Sequence, residues 1–497
     1  SAAIDRPWSE DVLYFLMTDR FLDGDPANNV PAGSDPALHD PGQRSQRHYH
    51  GGDLRGLELA LQSGYFNELG VTALWITPPL RNVWNAGFEE EGTPQTGYHG
   101  YWAQDFSDID PHLTSSHRLD GSPYPAGREG RIAHYRDFVS LAHARGIKVI
   151  QDIVCNHAGQ VFYYDVNGNG SFDTDSPAEW IQPFRREGRY ENARWGNIPA
   201  WNLRRTAPEG VLSRLSSYGR KGWSGGSLGK DDGEEVECDF YRLRDFRTAP
   251  DSPHFDTLVN EFVRLYGFFI EECGVDGFRI DTARHVHHEF WDAFTERLRG
   301  RLGPRAERVL MFGEVYGRTP DRLATHTYRS DWPDRKDPCL DSLLNFPFCF
   351  AARDFLRHRG DTFGPTAPLA RALRDWHGSP PNGRPYLTPE PGLDGLDARQ
   401  KSLTFIENHD GLNRFRVAGV TAQRNVLANA LLLTTEGIPC LYYGTEAGVR
   451  DERGVLERES ETGRVTYVPR GEPERLEEAR KSESFRAIRA LISARKA

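Results

Sequence analysis

Eight short apolar, β-rich runs are separated by stretches of helical periodicity, and this alternation constrains the fold of the chain more than any other feature. The runs are VLYFLMT (12–18), VTALWIT (71–77), IKVIQDI (147–153), VDGFRID (275–281), RVLMFGE (308–314), LDSLLNF (340–346), SLTFIE (402–407) and IPCLYYG (438–444). Between most of them lie helical patterns such as LELALQSGYFNELG (57–70), IAHYRDFVSLAHARG (132–146) and FDTLVNEFVRLYGFFIEECG (255–274). The last, ESFRAIRALISARK, sets Phe485, Ile488, Leu491 and Ile492 on one face. Strands alternating with helices build parallel sheets, and eight such units predict a (β/α)8 TIM barrel.

Two intervals are too long for plain connections. Residues 78–130 separate the second strand from its helix. Residues 158–254 follow the third strand and are rich in Gly, Asn, Asp and aromatics. The expected division is therefore a barrel of residues 1–157 and 255–497, interrupted by a small inserted subdomain, 158–254.

With 497 residues, 38% hydrophobic and 27% charged, the chain can build one large core. Sixty-one basic against 72 acidic residues leave a net charge of −11, which argues against a nucleic-acid or anionic-membrane partner. No run approaches the roughly 18 consecutive apolar residues of a membrane span. LANALLLTTEGIPCLYY is broken by Glu436, Gly437 and Pro439. The six cysteines form no C-x-x-C pair, so a zinc ribbon is not expected; Cys339 and Cys349 are the one close pair that could bridge.

In such a barrel the C-terminal strand ends line the active site. Here the third strand carries Asp152 and runs into Asn156 and His157. The fourth carries Arg279 and Asp281, the fifth ends in Glu314, and the seventh runs into His409 and Asp410. One Asp at a strand end reads as a helix cap; three convergent carboxylates read as a site. Paired carboxylates without a His/Cys cluster point to glycoside hydrolysis. Arg279, two residues from Asp281 on a strand, would hold that carboxylate ionised for attack, and burial would keep Glu314 protonated as the acid. A retaining mechanism places such a pair about 5–5.5 Å apart. His157 and His409 could bond sugar hydroxyls, and the cluster GYHGYW (97–102), with His99, Tyr101 and Trp102, offers stacking surface.

The segments DIVCNH (152–157), GFRIDTARH (277–285), FGEVY (312–316) and FIENHD (405–410) resemble, in order, the four signature regions of the α-amylase family, glycoside hydrolase family 13. GYHGYW, GVTALWITP and GIPCLYYGTE extend the likeness over nearly the whole chain. The resemblance implies Asp281 as nucleophile, Glu314 as general acid/base and Asp410 as a third carboxylate gripping sugar hydroxyls. Arg279, His157 and His409 match residues around the −1 sugar, Tyr101 the aromatic beneath it, and Asp152 a structural buttress. The insertion 158–254 matches domain B.

Calcium is the implied cofactor. Asn156, His285 through its backbone oxygen, and Asp245 match one site. Asp23, Asp25, Asn28, Asn29, Gly51 and Asp53 match a second, all oxygen ligands as a hard cation needs. Asp165, Asn167 and Asn169 open like an EF-hand loop but lack its closing Glu, Ser176 standing there, so a plain turn is an equal reading.

Two departures stand out. Arg284 replaces the Lys common before the second-region His, on the side of sugars beyond the cut. The chain also stops at Ala497, at the end of the eighth helical pattern, so the family's C-terminal β domain is expected to be absent. The expected activity is an endo-acting, retaining α-1,4-glucan hydrolase on starch and malto-oligosaccharides. A cyclodextrin glucanotransferase-like transglycosylase is the alternative, and a non-catalytic relative is disfavoured by the intact triad. A monomer is expected, with a secreted or periplasmic location: the N-terminus shows no signal peptide, as after processing.

Overall fold

The structure, a computed structural model, describes residues 4–42, 45–88, 94–171, 182–196, 210–224, 231–317, 323, 325–328, 338–357, 362–377, 387–410, 413–417, 419–448 and 474–497. Its centre is one sheet of eight parallel strands: β1 (Leu13–Leu16), β2 (Ala73–Ile76), β3 (Lys148–Val154), β4 (Gly277–Asp281), β5 (Leu310–Gly313), β6 (Ser342–Leu343), β7 (Leu403–Phe405) and β8 (Ile438–Tyr442). Each expected run holds one of them, β3 overrunning its run by one residue at Val154. Strands neighbour in chain order, and β1 also pairs with β8. The remaining edge is joined by a parallel bridge, Leu344 to Leu403, with Asn345 N–H donating to Leu403 O at 2.8 Å. The sheet is a (β/α)8 barrel.

Every strand residue is buried, as expected of parallel strands covered on both faces. The register β3–β4 sets Asp152 opposite Arg279. That pairing already places an acid and a base side by side on one face of the sheet. Deeper in, Phe15 stacks on Trp75 at 3.8 Å, and Phe312 meets Trp75 edge-on.

Around the strands lie α1 (Leu54–Gln62), α2 (Arg128–Ala144), α3 (Phe255–Phe268), α4 (His288–Leu302), α5 (Phe346–Leu356), α6 (Thr366–His377), α7 (Ala422–Thr434) and α8 (Glu483–Lys496). The pattern 57–70, which reads as one helix, is two. Gly64 sits at φ 74°, a left-handed conformation, and the chain restarts helically at Tyr65–Leu69. α3 ends in a π-helical turn, Phe269–Cys273, inside what the periodicity shows as a single helix. On α8, Phe485, Ile488 and Ile492 are buried as the pattern requires, and Leu491 is half-buried.

The two long intervals carry their own small sheets. Leu80–Asn82 pairs antiparallel with Ala103–Ile109, bracketing GYHGYW. After β3, His157–Ala158 pairs with Arg244–Asp245, and Phe162–Tyr164 with Ala193–Trp195; a short helix, Asp232–Glu237, lies between. All six cysteines are free and buried, so the bridge that the spacing of Cys339 and Cys349 allows is not formed. No helix among the described residues is long and apolar enough to cross a membrane.

Candidate active site

Arg279 organises the mouth of the barrel. It is fully buried on β4, and its Nη1 donates to both oxygens of Asp152 at 3.0 Å and to Asp281 Oδ1 at 2.8 Å. Its Nη2 lies 2.8 Å from Glu314 Oε2, an ion pair without a hydrogen-bonding angle. One guanidinium therefore touches carboxylates from β3, β4 and the end of β5. Tyr101 O–H (2.9 Å) and Trp75 Nε1–H (3.2 Å) donate to Asp152 Oδ2 as well.

Thr282, which the sequence did not single out, links the other two carboxylates. It sits at φ 46°, ψ 34°, a left-handed conformation that a β-branched residue adopts only under constraint. This turn directs its N–H to Glu314 Oε2 at 3.1 Å while its hydroxyl donates to Asp281 Oδ2 at 3.2 Å. Its residue type gives no signal of this turn, which only the folded strand end imposes.

Electrostatics separates the two acids. Burial pushes Glu314 up to about 7; Arg279 opposes this, while Asp281 and Asp410 add to it. Burial also lifts Asp281, to about 6, against the pull of Arg279 and its hydrogen bond. Arg279 thus limits the rise of Asp281 rather than holding it at an ordinary carboxylate value. The pair titrates together, with Glu314 keeping its proton to the higher pH.

Asp410 stands at the rim with its side chain 37% exposed, its N–H bonded to Asn408 Oδ1 at 3.0 Å. His409 stacks on Tyr101 (5.3 Å, 11°), and Tyr101 on His99. Trp102 is met edge-on by His99 at 4.4 Å, and its N–H donates to Asn82 Oδ1. His157 differs from the sugar-binding expectation, because both its nitrogens are engaged by the protein. Nε2–H donates to Tyr101 O at 3.0 Å, which fixes the tautomer, and Nδ1 then accepts from Asn156 Nδ2 at 3.1 Å. Burial pushes it down to about 4, so it is neutral at ordinary pH.

Arg284 is likewise committed. Its guanidinium pairs with Glu235 on the helix Asp232–Glu237 and donates to Tyr316 O beyond β5. It fastens the segment after β3 to the β4 and β5 loops rather than lying free for sugars. His285 supports the same fastening through Nδ1 and Glu235 O, 3.2 Å apart.

The residues expected to hold cations divide three ways. Near β3, Asn156 Oδ1 is buried without a donor, and Phe246 N–H takes its backbone oxygen at 2.8 Å. Asp245, in register opposite His157, is pushed well above the usual carboxylate range by burial, Asp239 and Glu237. A buried carboxamide oxygen beside crowded carboxylates fits a hard cation. In the N-terminal loop, Asn28 Oδ1 and Asn29 Oδ1 are also buried without donors, and Asn29 Nδ2 donates to Asp23 Oδ2. Gly51, at φ 97°, lies so near that a Cβ would sit 2.5 Å from Asn29 Oδ1.

Asp25 and Asp53 are spent differently. Asp25 caps Ala27 N–H. Asp53 accepts four hydrogen bonds, from the N–H groups of Gly24, Asp25 and Gly56 and from Asn28 Nδ2, as cap and anchor of α1. In the EF-hand-like segment, Asp165 pairs with Arg194 and accepts from Gly170 N–H. The oxygens of Asn167 and Asn169 take the N–H groups of Asn169 and Ser171. That segment is a run of side-chain-to-backbone turns, the plain reading of its sequence. Among the described residues no group of three or more His, Cys, Asp or Glu is placed to hold a metal.

The family model described as alpha amylase, catalytic domain, matches residues 15–493. The chain belongs to the α-amylase family. A cyclomaltodextrin glucanotransferase of Niallia circulans is 28% identical over 443 residues, 89% of this chain and 49% of that protein. An α-amylase of the same organism is 27% identical over 447 residues, 90% of this chain and 68% of that protein. The chain thus spans about half the length of the curated glucanotransferases it matches. Among solved structures, the α-amylase of Geobacillus thermoleovorans complexed with acarbose aligns with TM-score 0.59 at 22% identity, covering 99% of this chain and 80% of that one, a likeness of fold. The α-amylase family is made up of glycoside hydrolases and related transglycosylases.

Proposed function

We propose that this α-amylase-family chain is an endo-acting, retaining α-1,4-glucan hydrolase. The observation that carries the reading is the pair of carboxylates on one buried guanidinium, Asp281 and Glu314 on Arg279, with Glu314 retaining its proton to the higher pH. In this reading the Asp281 carboxylate attacks the anomeric carbon and the glycosidic bond breaks as Glu314 gives its proton to the leaving oxygen. Glu314, now ionised, then takes a proton from water, whose oxygen displaces Asp281. Arg279 positions both, Asp410 meets sugar hydroxyls at the rim, and the Tyr101–His409 stack forms the apolar floor. An α-glucan is the substrate class of this reading.

A transglycosylase is the second reading, favoured by the glucanotransferases among the relatives. The two share every step up to the glycosyl–Asp281 ester and differ in what attacks it. Incubation with soluble starch separates them. Rising reducing ends with falling iodine colour and linear products are expected; colour loss with few new reducing ends would replace hydrolysis by transfer.

Calcium belongs to the same proposal. Asn156 and Asp245 would hold one ion, with His285 O, and Asn28, Asn29, Gly51 and Asp23 another. Bound there, calcium would neutralise crowded carboxylates and tie the inserted segment to the barrel. An ion binding only the folded state at about 100–1,000 times its dissociation constant adds about 2.7–4.1 kcal/mol. For a chain of this length that corresponds to a thermal midpoint about 3–4 °C higher. Chelation should remove that increment and calcium restore it; an unchanged midpoint after verified calcium removal would sink the proposal. A location outside the cytoplasm, where calcium is plentiful, fits this reading.

A further inference from the structure

Behind the rim, four arginines gather around one carboxylate. Glu407 lies just beyond β7 and is buried. Its Oε1 pairs with Arg416 Nε, while Oε2 accepts from the N–H groups of Phe415 and Arg416 and lies 2.9 Å from Arg414 Nη1 as an ion pair. Burial works against its charge, but Arg414 and Arg416 draw it down to about 2, so it is ionised and its acceptor capacity is used. Arg353, on α5, and Arg357, the residue capping that helix, approach the same place from the neighbouring unit. Arg353 Nη1 reaches Asn413 Oδ1 at 3.5 Å.

Several donors here have no acceptor: Arg353 Nε, Arg357 Nε and Nη2, Arg414 Nε and Asn413 Nδ2 are all buried and unbonded. Arg353, Arg414 and Asn413 are 7%, 3% and 0% exposed. Arg416 is also drawn by the buried Glu446, which leaves Arg353, Arg357 and Arg414 sharing Glu407, an excess of positive charge among the described residues. Buried donors without acceptors cost free energy, and buried like charges cost more. Ordered water could accept from these donors but would leave the charge in place.

We propose that a small anion binds between α5 and the loop after β7, held by Arg353, Arg357, Arg414 and Asn413. Its chemistry is that of a halide or a small oxyanion, accepting from guanidinium and carboxamide N–H groups. The strain that it relieves is visible at Arg357, which burial and the charges of Arg353 and Arg414 push down to about 10 against the pull of Glu407. The ligating residues come from two consecutive βα units, and Arg414 Nη1 also donates to Asn408 O, the residue before His409 and Asp410. The anion therefore fixes the loop carrying the rim carboxylate without touching sugar.

The test uses the intact protein exchanged into sodium gluconate, whose bulky anion serves as the control, with chloride or phosphate titrated in at constant ionic strength. A saturable rise of the thermal midpoint is expected, about 1–2 °C at a tenfold excess over the dissociation constant. The anion giving it names the class; identical midpoints in all three salts overturn the proposal. Arg357→Gln should abolish the saturable rise and, in gluconate alone, melt above the unaltered protein, because it removes a repelled charge. A variant keeping the full anion response also overturns it. Should that variant fail to fold, crystals of the unaltered protein soaked in bromide or selenate decide: anomalous density against Arg353 and Arg414 is expected, and its absence from both soaks rejects the site.

Discussion

Asp281→Asn is expected to lower kcat on starch by about four orders of magnitude or more, as loss of an attacking group does. Glu314→Gln should lower it about 10²–10⁴-fold on starch, the range of a lost general acid. The informative contrast is the leaving group. Fluoride leaves α-maltosyl fluoride without protonation as Asp281 attacks the anomeric carbon, so Glu314→Gln should form the glycosyl ester from it at near-normal rate, seen as a burst of fluoride. Asp281→Asn should show none. Equal losses on both substrates in Glu314→Gln would remove the acid from the assignment. The same division sets the pH profile of the unaltered chain. Asp281 must be ionised, so activity falls as pH drops through about 6. Glu314 must be protonated, so activity falls as pH rises through about 7. A narrow bell between those limbs is expected in kcat/KM, and a flat profile from pH 5 to 9 would contradict it.

Arg279→Met should cost about 3–5 kcal/mol of stability near pH 7.5, because it leaves buried carboxylates without their counter-charge. The pH dependence distinguishes this from lost packing. Asp152, Asp281 and Glu314 already stand at about 6, 6 and 7 in the folded state, above their ordinary 3.8, 3.8 and 4.5. Groups raised in this way bind more protons folded than unfolded. Their contribution is full at low pH and is lost as pH rises through the folded values. Removing Arg279 raises them further, so the deficit of the variant should shrink when denaturation is measured at pH 5. A deficit equal at both pH values would mean that only shape was lost.

The barrel was legible because fully buried parallel strands leave near-continuous apolar runs, and each of the eight is present. Helix interruptions were less so: a single Gly64 ended α1 early, and one hydrogen-bond slip produced the turn after α3, neither of which disturbs the apolar period. Asp152, Arg279, Asp281 and Glu314 could be brought together in advance because strand ends share one face of the barrel. What side chains do with their remaining hydrogen-bonding capacity could not. Asp53 and Asp165 look like cation ligands in one dimension, yet backbone N–H groups and Arg194 engage them in three. Arg284 depends on Glu235, 49 residues away, and Thr282 on a backbone twist that residue type does not announce.

The barrel is not equally laced all round. Between β3 and β4, which carry Asp152, Arg279 and Asp281, five residue pairs are in register. Between β5 and β6 there are two, and between β6 and β7 a single bridge. Transient opening costs least where the ladder is thinnest. Amide hydrogens at Leu344 and Asn345 should therefore exchange with solvent ahead of those of β4. The barrel can breathe along that seam while β3 and β4, which hold Asp152, Arg279 and Asp281, stay zipped; Glu314 after β5 and Asp410 after β7 stand at its margins, so the attacking carboxylate is held on the firm side of the ring and its two partners on the side that gives.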